Sequence, residues 1–175
     1  MAAHSEAWPK LIDLDGRELI PTSNATTRVI ALVFILPDCP ICNSYIPELN
    51  RLHDEFVGRG VQLILVNADT TTNHEAAQHV DEYQIKVSVV LDARHKWVRT
   101  AGVSTAPEAA VFSRAGELLY RGRIDNRYAE LGKRRAVVTS YDLRDALEAI
   151  LAGQPIKAPR TEAIGCTIPI DKSKD

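Results

Sequence analysis

The run VIALVFIL, residues 29–36, passes straight into PDCPIC, residues 37–42, and that junction decides how the chain is read. An unbroken apolar stretch rich in β-branched residues, bounded by polar ones, is the pattern of a central strand covered on both faces. Beyond it, Ile46, Leu49, Leu52, His53 and Phe56 recur at helical spacing, and Gly58 and Gly60 offer a stop. Cys39 and Cys42 therefore stand at the start of a helix. Two thiols so placed are a pair that trades electrons, a pair that holds a metal, or two small apolar residues beside a core.

A thiol is a useful nucleophile only as thiolate. A helix N-terminus favours that form, because its unpaired N–H groups and the macrodipole both attract negative charge. Cys39 has this position, and Pro40 suits the first turn, where its missing N–H is not needed. Cys42 lies about one turn further on, near enough to attack a mixed disulfide on Cys39 and release the product. Neither Pro40 nor Ile41 donates a side-chain hydrogen bond, and the strand before them brings no acid or base, so the helix end does most of the activation. Pro47 inside the same helix predicts a bend.

Further along, Ser104-Thr105-Ala106-Pro107 leads into a strand. A cis X-Pro bond at a strand start turns the chain sharply and leaves backbone groups unpaired, free to hold a passing peptide. Pro40, Ile41, Ala106 and Pro107 are accordingly the expected substrate-binding residues.

Outward from this centre, residues 10–20 read as a hairpin around Asp15-Gly16. Residues 61–67 and 87–91 read as buried strands and 73–83 as a helix, an alternation that argues for parallel strands with helical crossovers. A short helix over 95–101 ends at Gly102, and an antiparallel hairpin joins 109–112 to 117–120. Residues 122–139 read as a basic loop. Leu143, Ala146, Leu147, Ile150 and Leu151 mark a last amphipathic helix with Ser140 as its candidate cap. From Gly153 the prolines at 155, 159 and 169 predict a tail running extended over the surface. The expectation is one α/β domain over residues 1–175, with its core at about 10–152.

Composition narrows the function classes. The chain of 175 residues has 23 acidic against 21 basic side chains, a formal net charge of −2, which offers nucleic acid no general attraction. Its apolar runs are far too short to cross a bilayer. Met1–Glu6 shows no basic leader or hydrophobic segment, which leaves the compartment open: periplasmic if a leader or anchor was trimmed, otherwise cytoplasmic. Three cysteines are too few for a disulfide scaffold, and C-x-x-C beside a βαβ pattern reads as redox chemistry.

The strand, C-P-I-C at a helix start, Pro47 and the proline-led hairpin before a last helix together resemble the thioredoxin fold. The extra strand and helix ahead of that hairpin resemble the redoxin insertion of TlpA-like thiol-disulfide oxidoreductases and alkyl hydroperoxide reductase relatives. More narrowly, DCPICNSYIPELNRLHDEF, YRGRIDNRY and AIGCTIP are similar to a group of bacterial redoxin-domain proteins. The resemblance covers roughly residues 10–170. It implies Cys39 as attacking thiol, Cys42 as resolving thiol and Pro107 as the cis-proline facing them, with thiol or disulfide proteins as partners and no organic cofactor. Two departures matter: Pro37-Asp38 replaces the usual Trp, and some of the narrower group keep the first cysteine without the second. The latter leaves Cys166 as an auxiliary thiol.

Competing readings stay in view. Cys39 and Cys42 as copper or zinc ligands would need further donors, and no histidine lies nearby in sequence, so no metal is expected. A copper-handling or assembly module on the same fold would want a wider cysteine spacing. A peroxidase would want a hydroxyl three residues before its reactive cysteine, where Leu36 stands for Cys39. His74 and His79 read as surface residues and His53 as packing. Lys133-Arg134-Arg135 reads as a solvated loop, and Arg121, Arg123, Asp125 and Arg127 as ion pairs pinning their segment. Cys166 is either a small residue anchoring the tail or a redox thiol.

Overall fold

A computed structural model of the chain describes residue 8 and residues 10–170. The reading of Met1–Glu6 lies outside the described residues, as does the tail from residue 171. In chain order the elements are β1 (Leu11–Ile12), β2 (Glu18–Leu19), β3 (Val29–Ile35), α1 (Pro40–Phe56), β4 (Val61–Asn67), α2 (Asn73–Tyr83), β5 (Ser88–Leu91) and α3 (Lys96–Ala101). Then come β6 (Thr105–Ala106), β7 (Glu108–Ser113), β8 (Leu118–Gly122), β9 (Tyr128–Glu130), β10 (Lys133–Arg134), α4 (Asp142–Leu151) and β11 (Cys166–Thr167). A five-stranded sheet runs in the order β5-β4-β3-β7-β8. Its β3, β4 and β5 are parallel, and β7 and β8 are each antiparallel to their neighbours. This is the thioredoxin fold with an inserted α2–β5 unit.

The central strand is β3, and all seven of its residues are buried, which requires cover on both faces. Right-handed crossovers from β3 to β4 to β5 put α1 and α2 on one face. Polar contacts tie α4 to the same layer: Arg144 meets Glu55 of α1 at 2.7 Å and Arg59 meets Glu148 at 2.7 Å. On the other face, Trp8 stacks on Trp97 of α3 and meets the edge of Phe112 on β7. Helix α1 ends in a short 3-10 turn, closed by Gly60 at φ 86°.

Four details differ from expectation. Helix α4 begins after Tyr141, not Ser140, because the Ser140 carbonyl already accepts from Asn126 N–H and it is Tyr141 O that accepts the first helical bond, from Asp145 N–H. The basic loop contains a small β9–β10 hairpin. His79 is buried rather than at the surface, because its Nε2 is held 2.8 Å from Asn43 Oδ1. The tail does not simply run over the surface: it bonds to β8 through Pro159 and Thr161 and to β6 through β11.

Phe34 is fully buried at the middle of the sheet, so Phe34→Ala should lower the unfolding free energy by about 3–5 kcal/mol. Urea denaturation followed by circular dichroism, with an unchanged m-value, is the check.

Candidate functional site

The end of β3 leads through Leu36, Pro37 and Asp38 to Cys39, the N-cap residue of α1, with Pro40 in the first helical position. The turn is tight. The Cys39 N–H donates to Leu36 O at 3.0 Å, and Asn43 N–H donates to Cys39 O at 3.0 Å. Asn43 Nδ2 donates to Pro37 O at 2.8 Å, which leaves its Oδ1 to accept from His79 Nε2. The loop carrying the cysteine is thus held from both sides, by its own helix and by α2.

Facing it, the Ala106–Pro107 peptide bond is cis, and Ala106 O lies 3.7 Å from Cys39 Sγ. Cys39 is bonded to Cys166, with the two Cα atoms 6.3 Å apart, an ordinary separation for a disulfide. Cys166 arrives on β11, which pairs antiparallel with β6 in the register Cys166 to Ala106 and Thr167 to Thr105. With the strand in place, Cys39 is only 3% exposed. Ala106 and Pro107 are buried, whereas Pro40 is exposed and Cys166 half-buried.

The expected Cys39–Cys42 pair is therefore not the pair present. Cys42 is a free thiol with no exposed surface. Its side chain continues the apolar stripe of α1, one turn before Tyr45 and Ile46 and two before Leu49. Burial pushes the Cys42 thiol up to about 12, only partly offset by nearby backbone N–H groups. Ile41, expected to touch substrate, is likewise buried on that stripe.

A second polar group abuts α1. Tyr45 OH donates to Asp125 Oδ1 at 2.8 Å, Arg127 pairs with Asp125 at 3.2 Å, and the Arg127 guanidinium lies 4.3 Å above the Tyr45 ring. Arg127 Nη1 also donates to Ser44 O at 2.9 Å. This network fixes the segment after β8 against the helix and is structural. Among the described residues no cluster of His, Cys, Asp and Glu could hold a metal ion.

Sequence reasoning missed the ladder between β6 and β11. The signal for it was Gly165. A Cβ there would overlap Ala106 O and lie 2.6 Å from Ala106 C and 3.0 Å from Pro107 N, so the tail backbone passes where only glycine fits.

A cysteine capping a helix start, opposed by a cis-proline on a β-α-β scaffold, is an arrangement of the thioredoxin fold. The AhpC/TSA family pattern matches residues 9–121, and the chain belongs to that family. The thiol-disulfide oxidoreductase ResA of Bacillus anthracis is 26% identical over 107 residues, 61% of each chain. The chain thus spans about three-fifths of that relative's length. The crystal structure of a hypothetical protein, SMc02350, from Sinorhizobium meliloti superposes with a TM-score of 0.80 at 22% identity, covering 94% of this chain and 91% of the other. A secreted Mycobacterium tuberculosis disulfide oxidoreductase homologous to E. coli DsbE gives 0.57 at 18% identity, over 86% and 99%. These structural likenesses carry the fold alone.

A tryptic digest without reduction should link the peptide carrying Cys39 and Cys42 to the peptide carrying Cys166. Alkylation at pH 8 should modify Cys42 only after denaturation, because its buried thiol stays protonated. Fragmentation that located the cross-link at Cys42 would contradict this geometry.

Proposed function

We propose that the chain is a thiol-disulfide oxidoreductase in which Cys39 is the attacking sulfur and Cys166 the sulfur that closes on it. The observation that carries this reading is the bond between a helix-capping cysteine and a tail cysteine, made beside a cis-proline. In the reductive direction Cys39 thiolate attacks a target disulfide. A Cys39–target bond forms, the target's own S–S bond breaks, and one target sulfur leaves as thiolate. Cys166 thiolate then attacks Cys39 Sγ, forming the Cys39–Cys166 bond and expelling the second target sulfur. Two electrons pass from the two protein sulfurs to the target, and the protons they surrender end on the two target thiols. An external dithiol protein reverses the exchange and restores the reduced chain, so no organic cofactor is required.

Cys42 fits the resolving role poorly. It lies with no exposed surface on the packed stripe of α1, and burial raises its thiol so that the nucleophilic thiolate is disfavoured at neutral pH. That burial also weakens the copper-handling reading, which would need both sulfurs of C-P-I-C turned to one ion. A peroxidase reading finds Leu36 where a hydroxyl would position the peroxide. The named activity of the ResA relative supports the exchange reading.

Single-turnover reaction of the pre-reduced chain with a disulfide-bonded peptide tests the assignment. Cys39→Ser should abolish reduction, Cys166→Ser should stop at a stable Cys39–target adduct detected by mass, and Cys42→Ser should stay within about threefold of wild type. Loss of turnover in Cys42→Ser with full turnover in Cys166→Ser would return the role to the C-P-I-C pair.

A further inference from the structure

We propose that residues 164–168 are a self-substrate: the tail strand occupies the edge that receives the target, and its own sequence reports what that edge selects. This rests on the exchange reading above. The selected segment is extended, runs antiparallel to β6, has no Cβ on the residue before its cysteine, and carries an aliphatic side chain two residues after it.

Three observations define these requirements. Cys166 and Thr167 pair with Ala106 and Thr105, and Ile168 N–H donates to Ser104 O at 2.9 Å, so recognition begins with backbone pairing that any extended peptide can copy. Gly165 meets the carbonyl and carbon of Ala106 and the nitrogen of Pro107. All three are backbone atoms, which have no rotamer by which to make room for a larger residue. Finally, Cys166 and Ile168 share one face of the strand; the former meets Cys39 and the latter is 3% exposed, while Thr167 between them faces solvent. Positions −1 and +2 relative to the cysteine are therefore selected, and +1 is free.

The tail's anchorage lets this segment leave without losing its place. Upstream, Arg121 N–H donates to Pro159 O at 3.0 Å, Thr161 N–H donates to Arg121 O at 3.1 Å, and Arg123 N–H donates to Thr161 Oγ1 at 3.0 Å. Gly122 packs against Thr161 so closely that a Cβ would overlap its Oγ1. Residues 162–165 link this staple to β11. In the oxidised chain the strand buries Cys39, so a target reaches that sulfur only when the reduced strand swings off β6. The same strand then returns with Cys166 to expel the product.

The test uses the full-length Cys166→Ser chain, in which Cys39 is the one accessible thiol. It is mixed with three peptides whose cysteine is joined to thionitrobenzoate: Ala-Ile-Gly-Cys-Thr-Ile-Pro-Ile, the same with Val in place of Gly, and the same with Ser in place of the Ile after Thr. Release of the coloured thiolate should be about tenfold or more faster with the first than with either other. In an otherwise wild-type chain, Gly165→Val should slow closure of the Cys39–Cys166 bond and let the Cys39–peptide adduct accumulate. Equal rates for the three peptides, with Cys39 still reacting with dithiobis-nitrobenzoate, would overturn the self-substrate and leave the exchange reading standing. A Cys39 that reacts with none of the four reagents would overturn both.

Discussion

One close approach of backbone to backbone governs the site. For the sulfur of Cys166 to reach Cys39, the tail must pass within contact distance of the Ala106–Pro107 peptide, and only a residue without Cβ leaves that path open. The burial of Cys39, the β6–β11 ladder and the enclosure of Ile168 all follow from this passage. A bulkier residue at 165 would lift the strand, and the ladder is too short, at two residues, to pull it back. Specificity and closure thus share one steric condition.

The nearer cysteine, free and buried, belongs to the packed face of its helix. The α1 stripe that anchors the helix to the sheet runs Ile41, Cys42, Tyr45, Ile46, Leu49, Leu52, Phe56. A residue three after the N-cap necessarily lies over that stripe once Ile46 and Leu49 face the core. The cap residue escapes this constraint because its backbone is extended, with φ −87° and ψ 112°, and its side chain points off the helix end.

Much of the scaffold was legible because its signals are long and local. The apolar run of β3, the spacing of α1 and the Asp15-Gly16 turn between short extended flanks are each read from neighbouring residues. Cys39 at a helix start came from the same kind of signal, whereas Pro107 as a cis-proline opposite it was implied by the resemblance to the thioredoxin fold. What stayed hidden depends on partners distant in sequence. The β9–β10 and β6–β11 pairs are two or three residues long, too short for a period, and Cys39 and Cys166 are 127 positions apart. His79 hid differently: on a helix with only Ala76 and His79 buried, an imidazole fills a place normally given to an apolar side chain. The stripe through Cys42 was present in the spacing, but the attraction of C-x-x-C as a pair masked it.

The tail's two attachments divide the work between tethering and gating. The staple at Pro159–Thr161 joins backbone bonds to a hydroxyl shared with Tyr120 OH at 2.8 Å, whereas β11 contributes a two-residue ladder and one buried isoleucine. Burying that isoleucine is worth about 1.5–3 kcal/mol, while each of the five residues 164–168 gives up roughly 1–2 kcal/mol of backbone entropy when the strand docks. Without the sulfur bond the strand is then only weakly held on the edge. Yet the tether keeps its local concentration at about the millimolar level set by a short linker. A strand poised in this way yields to an incoming peptide and still returns fast enough to complete the exchange. A longer ladder would block the edge, and an untethered tail would leave the adduct on Cys39 unresolved.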